Sequence, residues 1–272
     1  MPQIINTNIP SLNAQRNLNT SQGSLSTALQ RLSSGLRINS SKDDAAGLAV
    51  AEKMNSQARG MTVAIRNAND GLSLAKTAEA GMNVIGEHLQ RMRDLAVQAA
   101  SGQYDSDNRS ALNTEFDQLR SEIARVVSAT NFNQKQLLDG TFSGGITFQV
   151  GATTTAESQI DISIARVETS SLSNDITAAG DALSAISQID EMIGTLNTNR
   201  AALGAVQNRF EGVLDQLSAA HEATTASRSR IMDADYAEET AKLARAQVLQ
   251  QAGVAMLTQA NALPQNVLSL LQ

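Results

Sequence analysis

The residues whose types could carry chemistry are few, and their spacing does not bring them together. Asp105-Ser106-Asp107-Asn108 opens like a calcium loop, in which alternating oxygen donors converge on a hard cation. Such a loop needs glycine at its sixth position and an acid at its twelfth, where this chain has Ser110 and Phe116. His88 and His221 are the two histidines and stand far apart, which leaves little for imidazole acid–base work or a histidine-rich metal site. With no cysteine there is no thiolate nucleophile, no thiolate metal site and no disulfide. The phosphate-cradling glycine loop, the nucleophile elbow and the zinc-protease helix motif are all missing. Glu238 and Glu239 precede Lys242 by four and three residues, the spacing of ordinary ion pairing on a helix surface. A chain with no nucleophile beside a base and no converging donor set is expected not to be an enzyme, and to use no cofactor and no metal.

Composition narrows the partners. There are 27 acidic against 21 basic side chains, a net charge of -6, so the basic face that nucleic acid requires is not expected. Five Phe, two Tyr and no Trp leave few rings on which bases could stack. No run approaches the roughly 18 apolar residues of a membrane span, so no membrane insertion is expected. The first ten residues lack both the basic side chain and the apolar run of a secretory signal peptide.

The elements that must position these residues read as helices. Alanine and leucine, the strongest helix formers, dominate the apolar content, and the three prolines are Pro2, Pro10 and Pro264. Residues 11–263 therefore contain nothing that forces a helix to break. Leu72, Ala75, Met82, Ile85, Leu89, Met92, Leu95 and Ala99 trace one helical face, ended by the loop 101–108. Leu112, Phe116, Leu119, Ile123 and Val126 trace a second. Ile186, Ile189, Ile193, Leu196, Leu203, Phe210, Leu214 and Leu217 trace a third, interrupted by Arg200, Gln207 and His221. Asp43 and Asp44 suit the start of the helix that follows them. Between about 137 and 170 the period changes to two, at Ile146, Phe148 and Val150 and at Ile160, Ile162 and Ile164. The pairs Asp139–Gly140 and Gly144–Gly145 signal turns, so short antiparallel hairpins are expected there. The hydroxyl-rich stretches Thr153–Ser158 and Thr169–Ser173 read as exposed polar turns in preference to sugar attachment sites.

The ends are poor in charge. No acid precedes Asp43, residues 1–41 carry only Arg16, Arg31 and Arg37, and residues 246–272 carry no charged side chain. The C-terminal stretch, with six glutamines and two asparagines, is too polar for lipid and too uncharged for an ordinary solvated helix. Ile5, Ile9, Leu12, Leu18, Leu25, Leu29, Leu32 and Leu36 fall near a seven-residue repeat, with 25, 29, 32 and 36 stepping four, three and four. One pair of such helices buries too little apolar surface to offset the ordering of its backbone comfortably, so a crowded protein surface is the expected environment of both ends.

Long motifs at both ends carry a specific resemblance. Asn6-Thr7-Asn8-Ile9, the run Gln30-Arg31-Leu32-Ser33-Ser34-Gly35-Leu36-Arg37-Ile38-Asn39, Lys42-Asp43-Asp44-Ala45-Ala46-Gly47 and Gln90-Arg91-Met92-Arg93-Asp94-Leu95-Ala96-Val97-Gln98 resemble the N-terminal region of bacterial flagellin. Ser229-Arg230-Ile231, Asp235-Tyr236-Ala237, the run from Arg245 to Gly253 and Pro264-Gln265-Asn266-Val267-Leu268-Ser269-Leu270-Leu271 resemble its C-terminal region. The match covers roughly 1–140 and 180–272, with little or no room for the outer domains that longer members insert.

The resemblance implies a mainly α fold: an elongated helical bundle or coiled-coil rod with small β-hairpins, its N- and C-terminal helices forming the filament core. Residues 1–44 and 230–272 are then the core-forming ends, disordered in the monomer, and 45–229 the rod, with the hairpin region at about 137–170. The implied function is a structural subunit of the flagellar filament, exported unfolded through the flagellum's own type III channel and self-assembling outside the cell for motility. The implied partners are identical copies in a helical homopolymer, an export chaperone at the C-terminus, and cap and hook-associated proteins. Ile5, Ile9, Leu12, Leu18, Leu25, Leu29, Leu32, Leu36, Val254, Leu257, Val267, Leu268 and Leu271 are the expected filament-core contacts. Family members read by host Toll-like receptor 5 present an Arg, a Leu and a Glu that match Arg91, Leu95 and Glu115, and Asp94 stands where many have Glu. Leu268, Leu270 and Leu271 suit a cytosolic sensor of the same innate system. The alternative within the architecture is a hook-associated junction protein, and a different class of reading is a soluble helical effector or adaptor.

Overall fold

A computed structural model describes the backbone of residues 7–168 and 175–269, and side chains as far as residue 262. Five helices carry the described residues: α1 (Ile9–Ser34), α2 (Ala45–Ala100), α3 (Ser106–Ala129), α4 (Ala179–Met232) and α5 (Tyr236–Ser269). Between α3 and α4 lie four short strands: β1 (Asn131–Phe132), β2 (Lys135–Gln136), β3 (Ile146–Gln149) and β4 (Gln159–Ile162). The fold is mainly α, as the periodicity requires. The chain divides into two compact units, Met1–Ser56 with Ala223–Gln272 and Gln57–Glu222, so the divisions fall inside α2 and α4.

In the larger unit α2 buries Ala75, Ala78, Met82, Ile85, Leu89, Met92, Ala96 and Ala99, steps of three and four that keep one stripe turned inward. Phe116 and Ile123 of α3, and Ile189, Leu196, Leu203 and Phe210 of α4, join the same core. Ion pairing and hydrogen bonding tie α2 to α4 at the surface, with Arg93 Nε donating to Asp190 Oδ1 at 2.6 Å and Gln207 Nε2 to Glu79 Oε2 at 2.7 Å. The hydrogen bond from Arg93 lowers the Asp190 carboxyl below its ordinary value.

Asp105, the first residue of the calcium-like run, is the N-cap of α3, and its carboxylate accepts the Asn108 N–H at 2.8 Å. Arg109 reaches back to the Ala99 and Ser101 carbonyls at the end of α2. That run is helix-capping chemistry.

β3 and β4 pair antiparallel with Ile146 opposite Ile162 and Phe148 opposite Ile160. The Phe148 ring meets Phe210 of α4 edge-on, centroids 5.9 Å apart, which seats the hairpin on the helices. Period-two reading did not find the tighter β1–β2 hairpin, whose turn residues Asn133 and Gln134 both have positive φ. Asn133 is the one local signal for it, since asparagine tolerates the left-handed region. Within the loop 151–158 the hydroxyls of Thr153, Thr155 and Ser158 bond one another, so they close a polar turn. Thr169–Ser173 lies outside the described residues.

Candidate assembly interface

α1 starts on Asn8, whose Oδ1 accepts the Ser11 N–H at 3.1 Å, with Pro10 in the first turn. It stops at Gly35, which takes φ +71° and returns its N–H to Arg31 O at 2.8 Å. Beyond that stop Leu36 bridges Asp233, and Ala234 N donates to Gly35 O at 2.9 Å. Ile38, Ala51 and Met232 close a small core beside this crossing. At the start of α2, Asp44 Oδ1 accepts the Gly47 N–H, and Asp43 accepts N–H groups from Asn39 and Ser40 that lower its carboxyl.

α1 and α5 pack together as an antiparallel pair, with residues 8 and 11 bonded to 260 and 261 at one end and residue 31 bonded to 239 at the other. The inward positions of α1 are 11, 14, 18, 21, 25, 28 and 32, and those of α5 are 239, 243, 246, 250, 253, 257 and 260. Both sets step strictly by three and four, the seam of a coiled coil. The seam is made largely of small and polar residues: Ser11, Ala14, Ser21 and Ala28 against Ala246, Gln250, Gly253 and Ala260. Leu18 lies over Gly253, where an added Cβ would stand 3.3 Å from Leu18 Cδ1.

The expected contact residues separate into two groups. Leu18, Leu25, Leu32 and Leu257 are half-buried in the seam within the chain. Ile9, Leu12, Leu29 and Val254 are about half exposed on the outside of the pair, together with Val248, Leu249 and Met256. Leu29 and Leu36 therefore do not continue one seam with Leu25 and Leu32: Leu29 faces out, and Leu36 lies past the helix end. Val267 and Leu268 fall in α5 beyond the described side chains, and Ile5, Leu270 and Leu271 lie outside the described residues. A search for large apolar residues missed Ser11, Ala28, Glu239, Ala246 and Ala260, the buried positions of the pair. Their three-four spacing is the signal that finds them.

On the larger unit Arg91 Nη2 and Glu115 Oε1 form an exposed ion pair at 2.7 Å between α2 and α3. Leu95, one turn along α2 from Arg91, is 1 % exposed and belongs to the core. The structure thus brings Arg91 and Glu115 together at the surface and places Leu95 beneath it.

The family model for the bacterial flagellin N-terminal helical region matches residues 5–143, and that for the C-terminal helical region matches residues 186–271. The chain belongs to the bacterial flagellin family. A flagellin of Halalkalibacterium halodurans is 43 % identical over 272 residues, covering 99 % of this chain and 100 % of that protein. The flagellar filament core protein flaB2 of Brachyspira hyodysenteriae is 40 % identical over 284 residues, covering 99 % and 100 %. Among solved structures, Bacillus cereus flagellin is similar with a TM-score of 0.51 and 30 % identity, over 56 % of this chain and 88 % of that one. The full-length agreement with a relative of this size marks the chain as a short flagellin.

Proposed function

We propose that this flagellin builds the extracellular filament of the bacterial flagellum as its repeating structural subunit. The observation that carries the assembly reading is the set of large apolar residues left on the outside of the α1–α5 pair, where Ile9, Leu12, Leu29, Val248, Leu249 and Val254 are about half exposed or more on a single chain. Exposed apolar residues gathered on one element favour burial against protein. Identical copies are the occupant, and contacts between unlike faces that do not close give a helix and not a ring. The work is mechanical, with no catalytic step assigned. An export chaperone, and the cap and hook-associated proteins, are partners of the same terminal helices.

Leu29→Asp tests the reading, because it places a charge on the outward face and leaves the inward seam intact. The expected result is an unchanged circular dichroism spectrum and no filaments by electron microscopy. Normal filaments would refute the role. Leu257→Asp is expected to block growth by the other route, splitting α1 from α5.

Arg91 and Glu115 form a surface that Toll-like receptor 5 reads, with Leu95 supporting it from below. Arg91→Ala is expected to lower receptor signalling with little change in melting temperature, since an exposed ion pair contributes little to stability. Unchanged potency would remove the site.

A further inference from the structure

Among the described residues, the buried polar side chains are Ser11 and Glu239, at 6 % and 4 % exposure. Both sit in the α1–α5 seam, at opposite ends of it, and each is bonded across to the other helix. Ser11 Oγ donates to Asn261 Oδ1 at 2.8 Å, and beside it Asn8 Nδ2 donates to Ala260 O at 2.8 Å. That carbonyl is the one Pro264, lacking an N–H, cannot satisfy within the helix. At the far end Glu239 Oε1 accepts from Arg31 Nη1 at 3.1 Å and from Lys242 Nζ at 2.9 Å.

We infer that Ser11 and the Arg31–Glu239 pair set the axial register of α1 against α5. A seam of strict three-four steps is degenerate: a slip of seven residues, about 10.5 Å, lays seam on seam again. The apolar packing does little to forbid it. Leu18 lies over Gly253 in the native register and falls at the level of Ala246 or Ala260 after a slip either way, and all three are small. The polar ends disfavour it, alongside the Gly35–Ala234 and Arg37–Met232 backbone bonds that join the chain just past α1 to the chain just before α5. In one slip Leu25 arrives at the level of Glu239, and the carboxylate is held against leucine without Arg31. In the other, Glu239 passes beyond Ser34 and loses α1 altogether. The first slip buries the carboxylate with Lys242 as its one remaining cation, and the second forfeits both the Arg31 pair and the Ser11 bond. The consequence rests on the filament reading: a slipped pair would shift the α1 half of the outward face relative to the α5 half, and identical neighbours could no longer match it.

The cysteine-free chain makes register directly readable. A Cβ at position 253 stands 3.8 Å from Leu18 Cβ, in the range for a disulfide, so Leu18→Cys with Gly253→Cys reports the native register. Leu18→Cys with Ala246→Cys, and with Ala260→Cys, report the two slips. Each pair is oxidised in the full-length chain, free and polymerised, and the bonds are mapped by mass spectrometry. In the parent sequence the native bond is expected to exceed either slipped bond by at least about tenfold in the sample where α1 and α5 are paired. In the Ser11→Ala, Arg31→Met, Glu239→Leu background the slipped bonds are expected to rise to within about threefold of the native one, and restoring Glu239 with Lys at position 31 is expected to recover the preference. A tenfold preference surviving in the apolar background overturns the inference. So does the loss of every bond there, which would make the polar groups adhesive and not selective, and so does a parent with no preference. Filament growth, scored separately by microscopy, reports on the proposed function and not on the register.

Discussion

Glu239 is a carboxylate held inside a helix pair. Burial by itself would raise its carboxyl, and the hydrogen bonds from Lys242 and Arg31 outweigh that, holding it below the ordinary value of 4.5. A carboxyl depressed in the folded state stabilises that state at pH above its unfolded value, and the contribution is lost as pH falls through the folded value. Acidification from 4.5 downward is therefore expected to loosen α1 from α5. Amide hydrogen exchange along α1 between pH 3 and about 7, where the carboxylate ionises, should reveal a step that Glu239→Gln flattens. An identical step in that variant would assign the acid sensitivity to other groups. Asp105 teaches the complementary lesson at this scale. Its neighbours have the composition of a metal loop, yet one carboxylate and one backbone N–H account for its position at the head of α3.

At the scale of elements, Phe210 joins α4 to the β3–β4 hairpin. It is fully buried and meets Phe148 edge-on. Phe210→Ala removes the ring from a core that cannot collapse around the gap, and is expected to destabilise the larger unit by about 3–5 kcal/mol in chemical denaturation. A loss below about 1 kcal/mol would mean that the hairpin does not depend on that helix. The α1–α5 pair is built differently. Its seam alternates half-buried leucines with small side chains between two polar ends, so it brings two backbones close with little fully buried apolar volume, while other apolar side chains face outward.

The two units of the molecule differ accordingly. Among the described residues, the largest fully buried side chains, from Met82 to Phe210, belong to residues 57–222. The terminal unit buries alanines, Ser11, Glu239, Ile38 and Met232. Regions with few large buried contacts open locally at low free energy, and proteases cut what opens. Brief trypsin treatment of the unassembled chain is expected to cut at Arg31, Arg37, Arg230 and Lys242 and to leave a resistant fragment of residues 38–230. Intact ends after prolonged digestion would contradict this, and protection appearing only on polymerisation would support completion of the ends by neighbours.

Sequence alone determined the elements whose burial is one-sided. The stripe from Ala75 to Ala99 has one apolar face, and the alternation at 146–150 and 160–164 has period two; each admits one orientation toward a core. The family was legible because several long motifs stand in the right order at both ends of the chain. Tertiary structure alone decided which way α1 turns. Leu25 and Leu29 are identical residues one turn apart, and α1 by itself does not distinguish the face for α5 from the face for a neighbour. The choice came from Ser11, Ala28, Gly253 and Ala260, which count for little on a hydrophobicity scale and matter because their size and their bonds admit a second helix at one register.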